Sequence, residues 1–124
     1  MRRLGTLIIR KRRGIRGVTA LLESTGMRDP ATLGDMIELR AEVDATDAAL
    51  CDLLAHRARL ISRAAELKNA NGWPARIGGR VDEVIGNVRR NAEAGGWDPE
   101  LAEVLWRELV EWSIEREQTA LGRE

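Results

Sequence analysis

Residues 35–71 read DMIELRAEVDATDAALCDLLAHRARLISRAAELKNAN, and they decide the fold. No Gly or Pro interrupts them. One stripe recurs at alternating steps of four and three: Met36, Arg40, Val43, Asp47, Leu50, Leu54, Arg57, Ile61, Ala64 and Lys68. That period predicts one continuous amphipathic helix. Asp35 is placed to cap it, Glu38 follows three residues on as in a capping box, and Asn71-Gly72 with Pro74 is a stop signal. At 1.5 Å per residue such a helix is a rod of about 54 Å, longer than the roughly 30 Å of a small domain. A rod of that length needs a partner, which predicts a homodimer whose long helices pack on each other.

Downstream, Gly72, Pro74, Gly78 and Gly79 predict a loop over 72–79. A second helix is predicted from about Arg80 to Ala94, with Val81, Val84, Ile85, Val88 and Ala92 on one face, ending at Gly95-Gly96. Asp98 then caps a third helix that has Pro99 in its first position and Glu100 in its first turn. Its apolar set is Leu101, Val104, Leu105, Leu109, Trp112 and Leu121. Phe and Tyr are absent and four Trp are the only aromatics, a composition that favours helix over strand. Trp73, Trp97, Trp106 and Trp112 read as loop anchors and core. The fold class is all-α, a three-helix protomer with one long N-terminal helix, and the helical domain spans residues 35–121.

Upstream, residues 1–34 carry Arg2, Arg3, Arg10, Lys11, Arg12, Arg13 and Arg16 among scattered Gly, with little helical periodicity, and read as a basic flexible extension. The formal net charge is zero, yet residues 1–28 hold eight basic side chains against Glu23 alone, and residues 29–124 hold twelve against nineteen acids. The split suits a solvated tail, or a start upstream of true initiation at Met27, better than a nucleic-acid arm. Cys51 is alone, which excludes a disulfide framework within the chain and reads as a small buried hydrophobe. Leu7-Ile8-Ile9 is too short for a signal-peptide core and no run is long enough to span a bilayer, so a cytoplasmic protein with no membrane partner is expected.

Arg40, Arg57 and Lys68 stand in the stripe where Leu would be ordinary, and an unpaired buried charge costs several kcal/mol. They are either interhelical salt bridges, with Asp47 and acids of the third helix as partners, or the receptor for a small dianion. Arg57 and Lys68 lie eleven residues apart, about 20° around the helix and about 16 Å along it, so two long side chains leaning together can close on one small anion. Arg40 precedes Arg57 by seventeen residues, about 25 Å along the rod, and cannot reach that anion from its own chain. In an antiparallel or crossing dimer it can, which predicts a site built in trans. His56 points off the stripe, Asp44 and Asp47 lack further ligands for a metal, and the Gly pairs lack a phosphate-loop pattern, so no metal and no cofactor is expected.

Leu39-Arg40-Ala41-Glu42-Val43-Asp44-Ala45-Thr46-Asp47, then Leu53-Leu54-Ala55-His56-Arg57, Lys68, Arg80, Trp97-Asp98-Pro99 and Ser113-Ile114 resemble the AroQ class of chorismate mutases, over residues 35–121. The resemblance implies an intertwined all-helical dimer that converts chorismate to prephenate for aromatic amino-acid biosynthesis without cofactor, metal or covalent intermediate. A unimolecular pericyclic step gains mainly from holding a compact conformer and stabilising charge at the breaking ether. By the family pattern Arg57 and the partner's Arg40 clamp the two carboxylates of this small dicarboxylate substrate, and Lys68 donates to the ether oxygen and a carboxylate. Arg80 lies over the ring, and Ser113 bonds near a carboxylate.

The sequence departs from that pattern at two sites. Glu117 stands four residues after Ser113, where many members have a Gln contacting the ether oxygen, and an ionised Glu would repel the charge developing there. It is therefore expected to be held protonated by burial and to donate that hydrogen bond; the alternatives are that Gln118 turns inward or that Glu117 pairs with Arg80. Val81 stands where typical mutases place a Glu that accepts the ring hydroxyl. Isochorismate pyruvate-lyases, which form salicylate on the same fold, also have an apolar residue there, and 4-amino-4-deoxychorismate mutases are a further option. Gly78-Gly79 before Arg80 suggest a mobile flap. The rival outside enzymes is a helical binding or regulatory module whose stripe charges are salt bridges.

Overall fold

The computed structural model describes residues 26–124, so residues 1–25 of the basic extension assigned to residues 1–34 lie outside the described residues. Three helices follow a short 3-10 turn at Pro30–Thr32: α1 (Met36–Asn71), α2 (Gly78–Gly95) and α3 (Pro99–Leu121). There is no strand among the described residues, and none of their helices is long and apolar enough to cross a membrane.

The long helix forms over the stretch that its period predicted. Asp35 accepts the Glu38 N–H at 2.8 Å, and the Glu38 carboxylate returns to the N–H of Gly34 at 2.9 Å, so the box closes one residue earlier than usual. At the other end Gly72 takes a left-handed conformation, φ 72°, which lets its N–H reach back to the last turn. Residues 26–34 fold back along α1: the Arg28 N–H donates to Glu42 at 2.8 Å, and the Thr46 hydroxyl reaches the Met27 sulfur at 3.8 Å.

The Gly78-Gly79 pair does not belong to the loop. Both open α2, two residues before the predicted start. N–H groups of a first turn have no intrahelical acceptors, so Gly there forfeits little, and Ile77 O receives the N–H of Arg80 and of Val81 at 3.0 and 3.2 Å. A flap hinged on these glycines is replaced by a helix start. The turn into α3 follows from Gly96, φ 79°, and from Asp98, whose carboxylate accepts the Glu100 N–H at 2.8 Å.

The core lies along α3, which packs on both α2 and α1. Val88, Ala92 and Ala102 pack with Trp106 near its start, and Ala75, Val110 and Ile114 pack with Val81 and Leu121 further on. Across this contact Arg89 reaches Glu100 and Glu103 at 2.8 and 2.7 Å. The apolar set expected of α3 is largely its other face: Leu101, Val104, Leu105 and Trp112 remain exposed, while Ala102, Val110, Ser113, Ile114 and Glu117 turn inward. The helix carries two apolar stripes, and the larger residues mark the one that its own chain does not cover.

The same holds for α1. Of its 36 residues only Ala65 is buried, and Met36, Val43, Leu50 and Leu54 of the stripe are exposed. Cys51, read as a buried hydrophobe, is exposed on this uncovered half. Of the four Trp only Trp106 packs in the core; Trp73, Trp97 and Trp112 are about half exposed, Trp112 lying beneath the Arg116 guanidinium at 5.3 Å.

Candidate active site

The second half of α1, the start of α2 and the second half of α3 enclose a cavity of about 310 Å³. Its walls are aliphatic, from Leu60, Ile61, Ala64, Ile77, Val84, Val110 and Ile114 among others. Into this apolar space project Arg57, Lys68, Arg80, Ser113 and Glu117, and Val81 lines it as well. The eleven-residue spacing of Arg57 and Lys68 brings both to the one cavity, as helix geometry requires.

Arg57 donates to the Ser113 hydroxyl at 2.9 Å, and that hydroxyl donates to Leu109 O one turn back at 2.7 Å, which leaves its lone pairs toward the guanidinium. No acid neutralises Arg57 among the described residues. Burial, and secondarily the like charge of Arg80, lowers its pKa from the ordinary value, although a guanidinium remains a cation at any physiological pH. A partly desolvated cation facing a second cation is a site that gains from an anion.

Lys68 is placed differently. Its ammonium donates to Glu117 Oε1 at 2.6 Å and to Ala75 O at 2.5 Å. An ammonium has three N–H donors, so one remains for a ligand. The Glu117 side chain is 5% exposed and that of Lys68 18%, so this is an ion pair removed from water. The salt-bridge reading of the stripe thus holds for Lys68 within the single chain, and the partner is an α3 acid, not Asp47. Neither alternative for Glu117 is realised: Arg80 pairs instead with Glu83 at 2.8 Å, and Gln118 lines a groove on the opposite side of α3. In place of a protonated carboxyl standing by itself, the structure pairs Glu117 with an ammonium.

That opposite groove, about 860 Å³, is the larger concavity. It is a broad furrow bearing Glu66 and Glu115 beside Arg116, so it lacks a counterpart to Arg57, the cation of the smaller cavity that no acid pairs among the described residues. Arg57, Lys68, Arg80, Ser113 and Glu117 converge on the smaller one. Arg40 is exposed on α1 and does not line it. His56 is exposed outside it too. Residue types did not single out Ala75, because its contribution is a backbone carbonyl, which no side chain announces.

The family model for chorismate mutase type II matches residues 39–118, which contain every one of these groups. The chain belongs to the chorismate mutase type II family. This chorismate mutase type II chain is also 33% identical over 85 residues to the T-protein of Enterobacter agglomerans, a match that covers 68% of the chain and 23% of the relative. The chain therefore spans less than a quarter of that relative's length. No solved structure gives a significant match. The AroQ-class resemblance of the motif residues agrees with this membership.

Proposed function

We propose that the protein is a cofactor-free chorismate mutase, rearranging chorismate to prephenate in aromatic amino-acid biosynthesis, and that it works as a homodimer. The observation that carries this reading is the cavity in which Arg57, Lys68 and Arg80 face aliphatic walls with Glu117 as the one acid. Arg57, which no acid pairs among the described residues, and the further donors of Lys68 and Arg80 suit a dicarboxylate, and the apolar walls suit a carbocycle folded over its enolpyruvyl side chain. In the rearrangement one C–O bond breaks as one C–C bond forms, with no proton or group exchanged. The residues therefore need only hold the compact conformer and donate to the ether oxygen as it gains charge. Arg57 takes one carboxylate, bidentate geometry being available to it, and the free N–H of Lys68 is directed at the ether oxygen. The partner's Arg40 supplies the second clamp, brought in by the uncovered apolar stripes of α1 and α3.

Incubation with chorismate is expected to yield prephenate, followed by loss of chorismate absorbance and by chromatography. Val81 supports a second reading. An apolar wall at that position leaves the ring hydroxyl without an acceptor, so isochorismate is to be assayed in parallel for salicylate and pyruvate, and the 4-amino analogue for its rearranged product. A protein that turns over none of the three, and whose melting temperature does not rise with millimolar ligand, is a binding module and not this enzyme.

A further inference from the structure

The loop between α1 and α2 is tied down at three adjacent points. The Ala75 N–H donates to Glu124 O at 2.7 Å, the Ala75 carbonyl accepts from Lys68, and the Arg76 guanidinium forks onto Glu111 of α3 at 2.6 and 3.0 Å. Ala75 is 2% exposed, so its carbonyl can serve only an internal donor. Two residues on, Ile77 supplies the carbonyl on which α2 starts, and with it the position of Arg80 and Val81.

Glu111 lies on the same helix as Ser113 and Glu117, the residues that hold Arg57 and Lys68. The fork therefore registers the Ala75 carbonyl against the Glu117 carboxylate, and these are the two acceptors of the Lys68 ammonium. With two of its N–H bonds fixed by acceptors on different segments, the direction of the third is determined. The fork itself is about half exposed, a location where an ordinary ion pair adds little to stability. Its geometry is nevertheless bidentate, which confers orientation more than strength. Arg76 is the first cause of the lowered pKa of Glu111, which keeps the pair intact at neutral pH and below.

We propose that Arg76 and Glu111 are positioning residues that act through the Ala75 carbonyl to aim the free N–H of Lys68 into the cavity. The proposal rests on the reading of that cavity as the substrate site. Arg76→Gln and Glu111→Gln are each expected to lower kcat/KM about 3- to 10-fold, chiefly through kcat, with only a small change in melting temperature. The exchange Arg76→Glu with Glu111→Arg restores most of the loss. Because the effect passes through Lys68, Arg76→Gln adds nothing in a Lys68→Met background. Equal losses in both backgrounds, or an unchanged kcat/KM in the first, would overturn the proposal. A readout without turnover separates it from the functional reading: in Arg76→Gln the Lys68 ammonium nitrogen resonance moves and the Ala75 amide exchanges faster. If the wild type has no activity but these signals move, the function is wrong and the positioning link stands. If they do not move, the link fails.

Discussion

A one-to-one mixture of Arg40→Ala and Arg57→Ala chains, each nearly inactive alone, regains about a quarter of wild-type turnover once subunits have exchanged. The expectation follows from one helix carrying both residues too far apart to serve one ligand, about 25 Å along α1. In a mixed dimer one site keeps both arginines and the other keeps neither. Half of the dimers in a random mixture are mixed, and each has one competent site of two. Either substitution alone removes a charge-assisted clamp from every site, which is worth about 100-fold or more in kcat/KM. Steady-state rates before and after exchange, with native mass spectrometry to count mixed dimers, check the outcome. A mixture that stays inactive while mixed dimers form would place Arg40 outside its partner's site.

Lys68→Met lowers kcat/KM by about 100- to 1,000-fold, the cost of removing one preorganised donor from a site where charge develops. It also unfolds more readily. The change strands the Glu117 carboxylate, 4% exposed, without its ammonium, and a buried charge left alone costs about 3 kcal/mol unless it takes up a proton. Adding Glu117→Gln should return most of the stability and little of the rate, since the amide does not need the ammonium but cannot replace its charge. Thermal melts and single-turnover kinetics on the single and double variants separate the two roles. A Lys68→Met chain that melts lower yet rearranges chorismate at the wild-type rate would assign the pair to stability alone.

Helix α1 could be read almost to the residue, because a capping Asp, an unbroken period and a Gly stop all act locally. The pairing of Arg57 with Lys68 in one cavity followed from the same period. Less was readable where two patterns overlap. On α3 both faces are apolar, so the larger side chains drew attention to the stripe that stays bare, while small residues such as Ala102 and Ser113 form the packed one. Gly78 and Gly79 look like breakers in isolation, but a first turn accepts them. The Lys68 bonds to Glu117 and Ala75 depend on how the loop and α3 meet in space. Nothing in the order of residues reports that, and a carbonyl acceptor has no residue type of its own.

If the bare stripes of α1 and α3 form the proposed homodimer interface, protein concentration becomes a variable of both folding and catalysis. If the surface that must be covered for the chain to gain its full stability is also the surface that delivers Arg40, dilution removes cooperativity of unfolding and turnover together. Specific activity should then decline at low protein concentration along the same curve as the melting temperature. A protomer released by dilution would retain a cavity with Arg57 and Lys68 in place and still be unable to use it.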